Sequence, residues 1–278
     1  MKTLVSIELQ KIFRKWRSYI GFLAIGVLVP IIQLALYFEG DGYVNMITRR
    51  LQDTFLITGN LLNGYLIGHL VLNSLFIHIP FLIVLVGGDL LAGEATAGTY
   101  RLLVSRPISR FKIITSKFIA GMIYTILLML FLGLMSVGLS LIIFGSGDLL
   151  IFADKIIVFS ASDVMWRFLM AYGFGTISMI NVFALSFLAS SLVENAIGPI
   201  VASMSVIIIL FVLSALNFEV FQVIRPYMFV TYMNDWNQFF RYDIDYKAII
   251  DSVCVLLVHI FGFYGIALYI FNRKDILS

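Results

Sequence analysis

The chain has 278 residues, of which 61% are hydrophobic and 13% charged, with a formal net charge of +3 and a mean hydropathy of +1.01. Soluble domains carry about 45–50% apolar and about 25% charged residues, so a water-soluble globule of this composition would expose large apolar patches; the class is an integral membrane protein. The single cysteine, Cys254, excludes an internal disulfide and a thiolate metal site, and no nucleic-acid partner is expected.

In chain order, residues 1–17 come first. At about 100° per residue they gather Val5, Leu9, Ile12, Phe13 and Trp16 on one face, with Glu8, Lys11, Arg14 and Lys15 lying away from it. This pattern predicts an amphipathic helix lying in the membrane interface. Six apolar runs follow, each long enough to cross a bilayer: 19–38, 65–88, 119–144, 168–190, 196–216 and 248–271. Pro30 and Gln33 are expected either to kink the first or to face protein rather than lipid. The second is the most polar, with His69, Asn73, His78 and Pro80, and is expected to face other helices rather than lipid. Residues 39–64 read as a polar loop, and 145–163 as a loop containing Gly and Asp with an apolar patch of its own. Residues 191–195 form a very short connection containing Glu194. No long linker and no internal repeat interrupts the pattern, which predicts one domain over residues 1–278.

The segment 218–246 holds ten aromatic residues in 29: Phe218, Phe221, Tyr227, Phe229, Tyr232, Trp236, Phe239, Phe240, Tyr242 and Tyr246. Rings with polar tips favour the headgroup layer, so this stretch is expected at a membrane surface.

Orientation follows from Lys and Arg. With the amino terminus in the cytoplasm, twelve of the 19 Lys and Arg residues fall on that side, while eleven of the 16 acids fall on the other. Both termini and the connection between the second and third runs are thus expected in the cytoplasm, and the protein in the cytoplasmic membrane.

That connection is the most patterned stretch. Residues 87–112 read GGDLLAGEATAGTYRLLVSRPISRFK, with Asp89 and Glu94 against Arg101, Arg106, Arg110 and Lys112. Pro107 removes a backbone donor and biases Arg106 away from helix, so a helix beginning at Asp89 is expected to stop near Ser105. Ser109 then suits the N-cap of the next helix. The order Gly-Asp, Gly-Glu, Ala-Gly-Thr, Leu-Leu, Ser-Arg-Pro, Ser-Arg resembles the first cytoplasmic loop of type-2 ABC transporter permeases. The match covers Gly88 to Arg110, and the six-run layout agrees with it.

The resemblance implies an all-α integral membrane fold. It would have six transmembrane helices, an interfacial helix at 1–17, a cytoplasmic coupling helix at 89–104 and an outer re-entrant segment at 218–246. It implies a permease subunit of an exporter, with ATP and Mg bound by two separate ABC ATP-binding subunits and no cofactor in this chain. A second permease copy or a sister permease would complete the path. A helix docked in a groove needs small residues, apolar anchors and a few charges. For that docking the resemblance points to Asp89, Leu91, Gly93, Glu94, Gly98, Thr99, Arg101 and Leu102. Arg106 and Arg110 are left between lipid phosphates and the ATPase.

The chemistry of an enzyme is harder to find. No G-x-x-x-x-G-K-[ST], H-E-x-x-H or G-x-S-x-G is present. His69 and His78 lie nine residues apart, about 180° apart on a helix, and interhelical hydrogen bonding is the expected role of each histidine. Two rivals to the permease remain open: a membrane-embedded enzyme built on His69, His78 and His259, and a non-transporting scaffold for an ABC-type ATPase.

Overall fold

The computed structural model describes residues 1–52, 61–98, 108–152, 156–216 and 218–273. The helices are α1 (Lys2–Arg14), α2 (Arg17–Gln52), α3 (Gly64–Phe76), α4 (Ile79–Gly87), α5 (Asp89–Thr96) and α6 (Arg110–Gly133). A π-helical turn at Leu134–Gly138 joins α6 to α7 (Leu139–Phe144). Strands β1 (Leu149–Phe152) and β2 (Ile156–Phe159) follow, then α8 (Ala161–Leu192) and α9 (Ile197–Ala215). The short helices α10 (Glu219–Ile224) and α11 (Phe229–Met233), each followed by a 3-10 turn, lead to α12 (Tyr246–Arg273).

Among the described residues six helical stretches are long and apolar enough to cross a membrane: Arg17–Met46, Ile79–Thr96, Arg110–Phe144, Ala161–Leu192, Ile197–Ala215 and Tyr246–Arg273. The protein is a helical, multi-pass membrane protein. Centre and periphery separate by burial. The most apolar windows of Ile79–Thr96 and of α8 are 67% and 61% buried, against 17% for α9 and α12. The outer helices keep large apolar side chains exposed, among them Ile197, Val201, Val258 and Phe261, as a lipid-facing surface requires. Helix α8 is the hub, packed against α12, α6, α4 and α9.

Three expectations change. The first span does not end near Phe38. Helix α2 runs on through the polar stretch to Gln52, about 54 Å at 1.5 Å per residue, well beyond a hydrocarbon core of about 30 Å. Its continuation is supported by packing: Val44 and Thr48 are buried, and Gly40 lies against Leu62, where a Cβ would stand 2.4 Å from Cδ2. The second span is not one continuous helix. It breaks at Ile77–His78 between α3 and α4, because Pro80 supplies no N–H to continue the ladder. The loop at 145–163 contains an antiparallel hairpin, with Leu149 opposite Phe159 and Ile151 opposite Ile157. Its buried Leu149, Ile151 and Phe159 are the apolar patch.

The irregularities interlock. The π-helical turn interrupts the regular ladder of the third span, and Gln33, deep in α2, donates from Nε2 to the Met135 carbonyl and to Ser140 Oγ, both at 2.9 Å. Gln33 is thus an internal polar bridge, as its place in an apolar run required. Gly64 and Gly68, one turn apart on α3, lie against Leu141 and Val137 of the same stretch. This is the small-x-x-x-small pattern that lets membrane helices approach closely. Asn63 caps α3, its Oδ1 accepting from the N–H groups of Tyr65 and Leu66 at 3.0 and 3.2 Å.

The aromatic segment divides. Phe229, Trp236, Phe239 and Phe240 are buried in the chain, whereas Phe218, Tyr227, Tyr242 and Tyr246 stay exposed. Arg167 of α8 ties this segment down, donating to the carbonyls of Phe239 at 2.8 Å and Arg241 at 3.1 Å. Its guanidinium also pairs with Asp163 at 2.8 Å and lies 4.2 Å from the Phe159 ring centroid. Four of the ten aromatics in the expected surface belt are therefore core.

Candidate functional site

Two acids and two lysines meet where α1, α5 and α6 converge. Lys117 Nζ stands 2.7 Å from Glu8 and 2.7 Å from Glu94. Lys11 Nζ stands 2.8 Å from the same two carboxylates. The four side chains close a ring in which each charge touches two of opposite sign. Lys117 is 1% exposed and its two acids about a tenth exposed, whereas Lys11 is 42% exposed. Beside the ring, Asp89 takes Lys15 at 2.6 Å and Arg17 at 3.1 Å.

Local sequence explains each position. Glu8 and Lys11 lie three apart, so α1 presents both on one face. Lys117 sits two turns into α6, buried among Ile113, Ile114 and Phe118. A lysine at that depth must find an anion or lose its charge, and no acid lies within four residues of it on its own helix. Asp89 and Glu94 ride on α5, which continues directly from α4. Gly88 keeps helical dihedrals, and its N–H still reaches the Val84 carbonyl at 2.9 Å. Ser190 of α8 splices this junction: its hydroxyl donates to the Gly88 carbonyl at 2.6 Å and accepts from the N–H groups of Leu91 and Ala92.

Helix α5 ends at Thr96, short of the expected Ser105. Gly98 takes φ +65°, a conformation natural to glycine that stops a helix. Thr96 Oγ1 shares its one proton between the carbonyls of Ala92 at 2.9 Å and Glu194 at 3.0 Å, and accepts from the Ala196 N–H at 3.2 Å. The α8–α9 turn is thereby fastened to the tip of α5.

The residues expected at a docking surface fall into three groups. Asp89, Leu91 and Glu94 turn inward, Leu91 fully buried and the two acids paired within the chain; Gly93 lies over Asp89, where a Cβ would stand 2.3 Å from Oδ1. Gly98 is exposed, together with Thr96 and Ala97. Thr99, Arg101, Leu102 and Arg106, with the rest of the expected coupling helix to 104, lie outside the described residues. Arg110 donates to the carbonyls of Phe271 at 3.3 Å and Asn272 at 2.9 Å, closing the end of α12. Ser109 caps α6 as expected, its side chain accepting from the Lys112 N–H.

Glu8 and Lys117 escaped the sequence reading. The sequence sets Glu8 on the polar face of α1, and Lys117 counts there only among the cytoplasmic cations. The missing signal was the lysine itself, isolated in an apolar helix without a nearby acid. Burial alone would lower the Lys11 pKa, but the hydrogen bonds and charges of Glu8 and Glu94 outweigh it and hold the group above the usual lysine value of 10.5. Because the folded value is raised, the ion pairs of Lys11 are complete at neutral pH and are lost only as the pH rises through that raised value.

The histidines do not gather. His69 packs edge-on to Phe240 with ring centroids 4.8 Å apart. His78 Nδ1 lies 2.9 Å from the Ser74 carbonyl. The ring nitrogens of His259 lie 2.8 Å from the Val255 carbonyl and 3.2 Å from the Tyr227 carbonyl. Among the described residues no three His, Cys, Asp or Glu side chains converge as metal ligands would.

Compared with known proteins, residues 19–277 match a family described as protein of unknown function (DUF2705). The chain is also 30% identical over 119 residues to a protein of Bacillus subtilis (strain 168) described as uncharacterized protein YhcI. That similarity covers 41% of this chain and 37% of the relative.

Proposed function

We propose a function for this chain, which by its match over nearly the whole length belongs to the DUF2705 family: it is the membrane-spanning subunit of an ATP-driven transporter. Separate ATP-binding subunits dock at the tip of α5. The support from sequence is the resemblance of Gly88–Arg110 to the coupling loop of type-2 ABC permeases, which also supplies the export direction. The observation that carries the reading is the way α5 is held. Its inner side chains are clamped to α1 and α6 through the ion ring and its tip is bonded to the α8–α9 turn. The outer surface of that tip, Thr96 to Gly98, stays open. A push on the tip reaches α1, α6 and the α8–α9 turn at once.

In this mechanism ATP binding closes the paired ATPases and shifts the population of the spans between two arrangements. Asp89, Leu91 and Glu94 act as transmitters within the chain, and a partner touches the tip and the residues that follow it. A second permease, of the same or a sister sequence, covers the exposed polar groups of Asn73 on α3 and of His78 at the α3–α4 break, which lipid would not solvate. Ala202 and Ser205 of α9 are exposed and suit the same contact; Ser203 is buried within the chain.

The test uses Ala97→Trp, which adds bulk to the exposed tip and removes no member of the ion ring. The full chain is purified from membranes of cells that also express an ABC-type ATPase subunit. The wild type is expected to bring down that ATPase with transport-linked ATP turnover. Ala97→Trp is expected to lose at least tenfold of both while keeping its thermal midpoint. Equal recovery and turnover in the variant would remove the docking role.

Orientation is tested separately, in a background lacking Cys254. A cysteine at Asn237 is expected to react with an impermeant reagent from outside the cell, and one at Thr96 only after permeabilisation. Labelling of the Thr96 position from outside would reverse the orientation and with it the docking side.

A further inference from the structure

We propose that the elbow between α1 and α2 is a binding site for an anionic phospholipid. Arg14, Lys15 and Arg17 hold the phosphate, and Leu85, Val86 and Leu90 carry the start of an acyl chain. These six side chains line one cleft of about 350 Å³. Its charges are unequal. In the ion ring Glu8 and Glu94 are matched by Lys11 and Lys117. At the elbow three cations face one carboxylate: Lys15 and Arg17 share Asp89, and Arg14 lines the same cleft with no acid partner among the described residues. Two positive charges are left over beside an apolar wall.

The side chains of the elbow also suit headgroup depth. The backbone turns extended at Lys15, with φ −86° and ψ 130°, and the Ser18 hydroxyl closes the turn by donating to the Ile12 carbonyl at 2.6 Å. Between the three cations stands Trp16, 76% exposed, with Tyr19 beside it at a ring-centroid distance of 6.1 Å. Exposed Trp and Tyr settle at the membrane–water boundary. A guanidinium takes phosphate oxygens in a bidentate grip, and the apolar wall below it suits a lipid better than a free phosphate ion, which would leave that wall uncovered. A bound headgroup competes with Asp89 for Lys15 and Arg17, so it loosens the outer half of the α1–α5 contact and leaves the buried ring intact. The assignment is independent of the transport reading.

The experiment places the purified full chain in nanodiscs of phosphatidylcholine mixed with phosphatidylglycerol, then extracts it into detergent and counts retained lipids by native mass spectrometry. Phosphatidylglycerol is expected to be retained in preference to phosphatidylcholine. Arg14→Gln is expected to reduce that preference on the order of fivefold, and Arg14→Gln with Arg17→Gln to reduce it further. Lys2→Gln, the same charge change on an exposed residue away from the cleft, is expected to retain it. The proposal is overturned if the wild type shows no headgroup preference, or if Lys2→Gln loses as much as Arg14→Gln. Displacement of the retained lipid by millimolar inorganic phosphate would assign the cations to a free ion and end the lipid reading. Because Arg14 is exposed and outside the ion pairs, the single variant decides the matter even if the double variant fails to fold.

Discussion

Lys117→Met is expected to destabilise the protein more than any other single charge deletion. Among the described residues it leaves the buried Glu8 and Glu94 with the half-exposed Lys11 between them. Removing one partner of a buried pair costs on the order of 3–5 kcal/mol, since the stranded charge has lost its water and its counter-charge together. Replacing the set restores most of the loss: Glu8→Gln, Glu94→Gln and Lys117→Met together leave no buried charge in the ring, and buried ion pairs are often matched by uncharged packing of similar volume. Asp89→Asn gives the contrast. Its cations Lys15 and Arg17 are 43% and 45% exposed, so the loss is at most about 1 kcal/mol and shrinks with added salt. Thermal unfolding in nanodiscs, followed by tryptophan fluorescence, reads all three. A Lys117→Met midpoint equal to that of the wild type would mean that the ring carries no stability.

Gly64→Val is expected to have the second large effect, by a different cause. A Cβ at Gly64 would stand 2.6 Å from Leu141 Cα, 2.7 Å from its backbone nitrogen and 2.7 Å from the Ser140 carbonyl oxygen. All three are backbone atoms, so no side chain can rotate aside and α3 must move off α7. Overpacking of this kind costs about 1–3 kcal/mol and occasionally more, and Val belongs at the upper end. Gly68→Ala is milder, because its nearest neighbour is a Val137 methyl at 3.1 Å. Gly173→Ala meets nothing within 4 Å and should gain up to about 1 kcal/mol from helix propensity. The expected order of midpoints is Gly173→Ala highest, then wild type, Gly68→Ala and Gly64→Val. A Gly64→Val midpoint above that of Gly68→Ala would mean that α3 does not rest on α7 as described.

Both predictions concern contacts between helices distant in sequence, and that is where sequence reading stops. The amphipathic face of residues 1–17, the apolar runs, the Ser109 cap and the placement of Gln33 among protein groups were legible from the chain. Each rests on neighbours along the backbone or on the length of an apolar run, and membrane-spanning length follows from 1.5 Å of rise per residue. The early end of α5 was less accessible. The glycine at position 98 was visible, but its φ of +65° depends on the turn it makes, and Pro107 pointed to a later stop. The extension of α2 to Gln52 was hidden because polar residues beyond the slab look like a loop until Val44 and Thr48 find something to pack on.

The amino acids by themselves determined that this protein lives in a membrane, roughly where it crosses, and which stretch between crossings is unusual. Only the tertiary structure decided what that stretch does with its charges. The resemblance assigned Asp89 and Glu94 to contacts with another subunit, and the fold pairs both within the chain. The pairing of Glu94 depends on Lys117, which with Glu8, 109 residues away, comes to it only when α1 lies across α5 and α6. An ion pair is a short-range bond between side chains, and its partners are set by which helices touch. Composition, run length and charge counts are sums over the chain and carry no record of that contact.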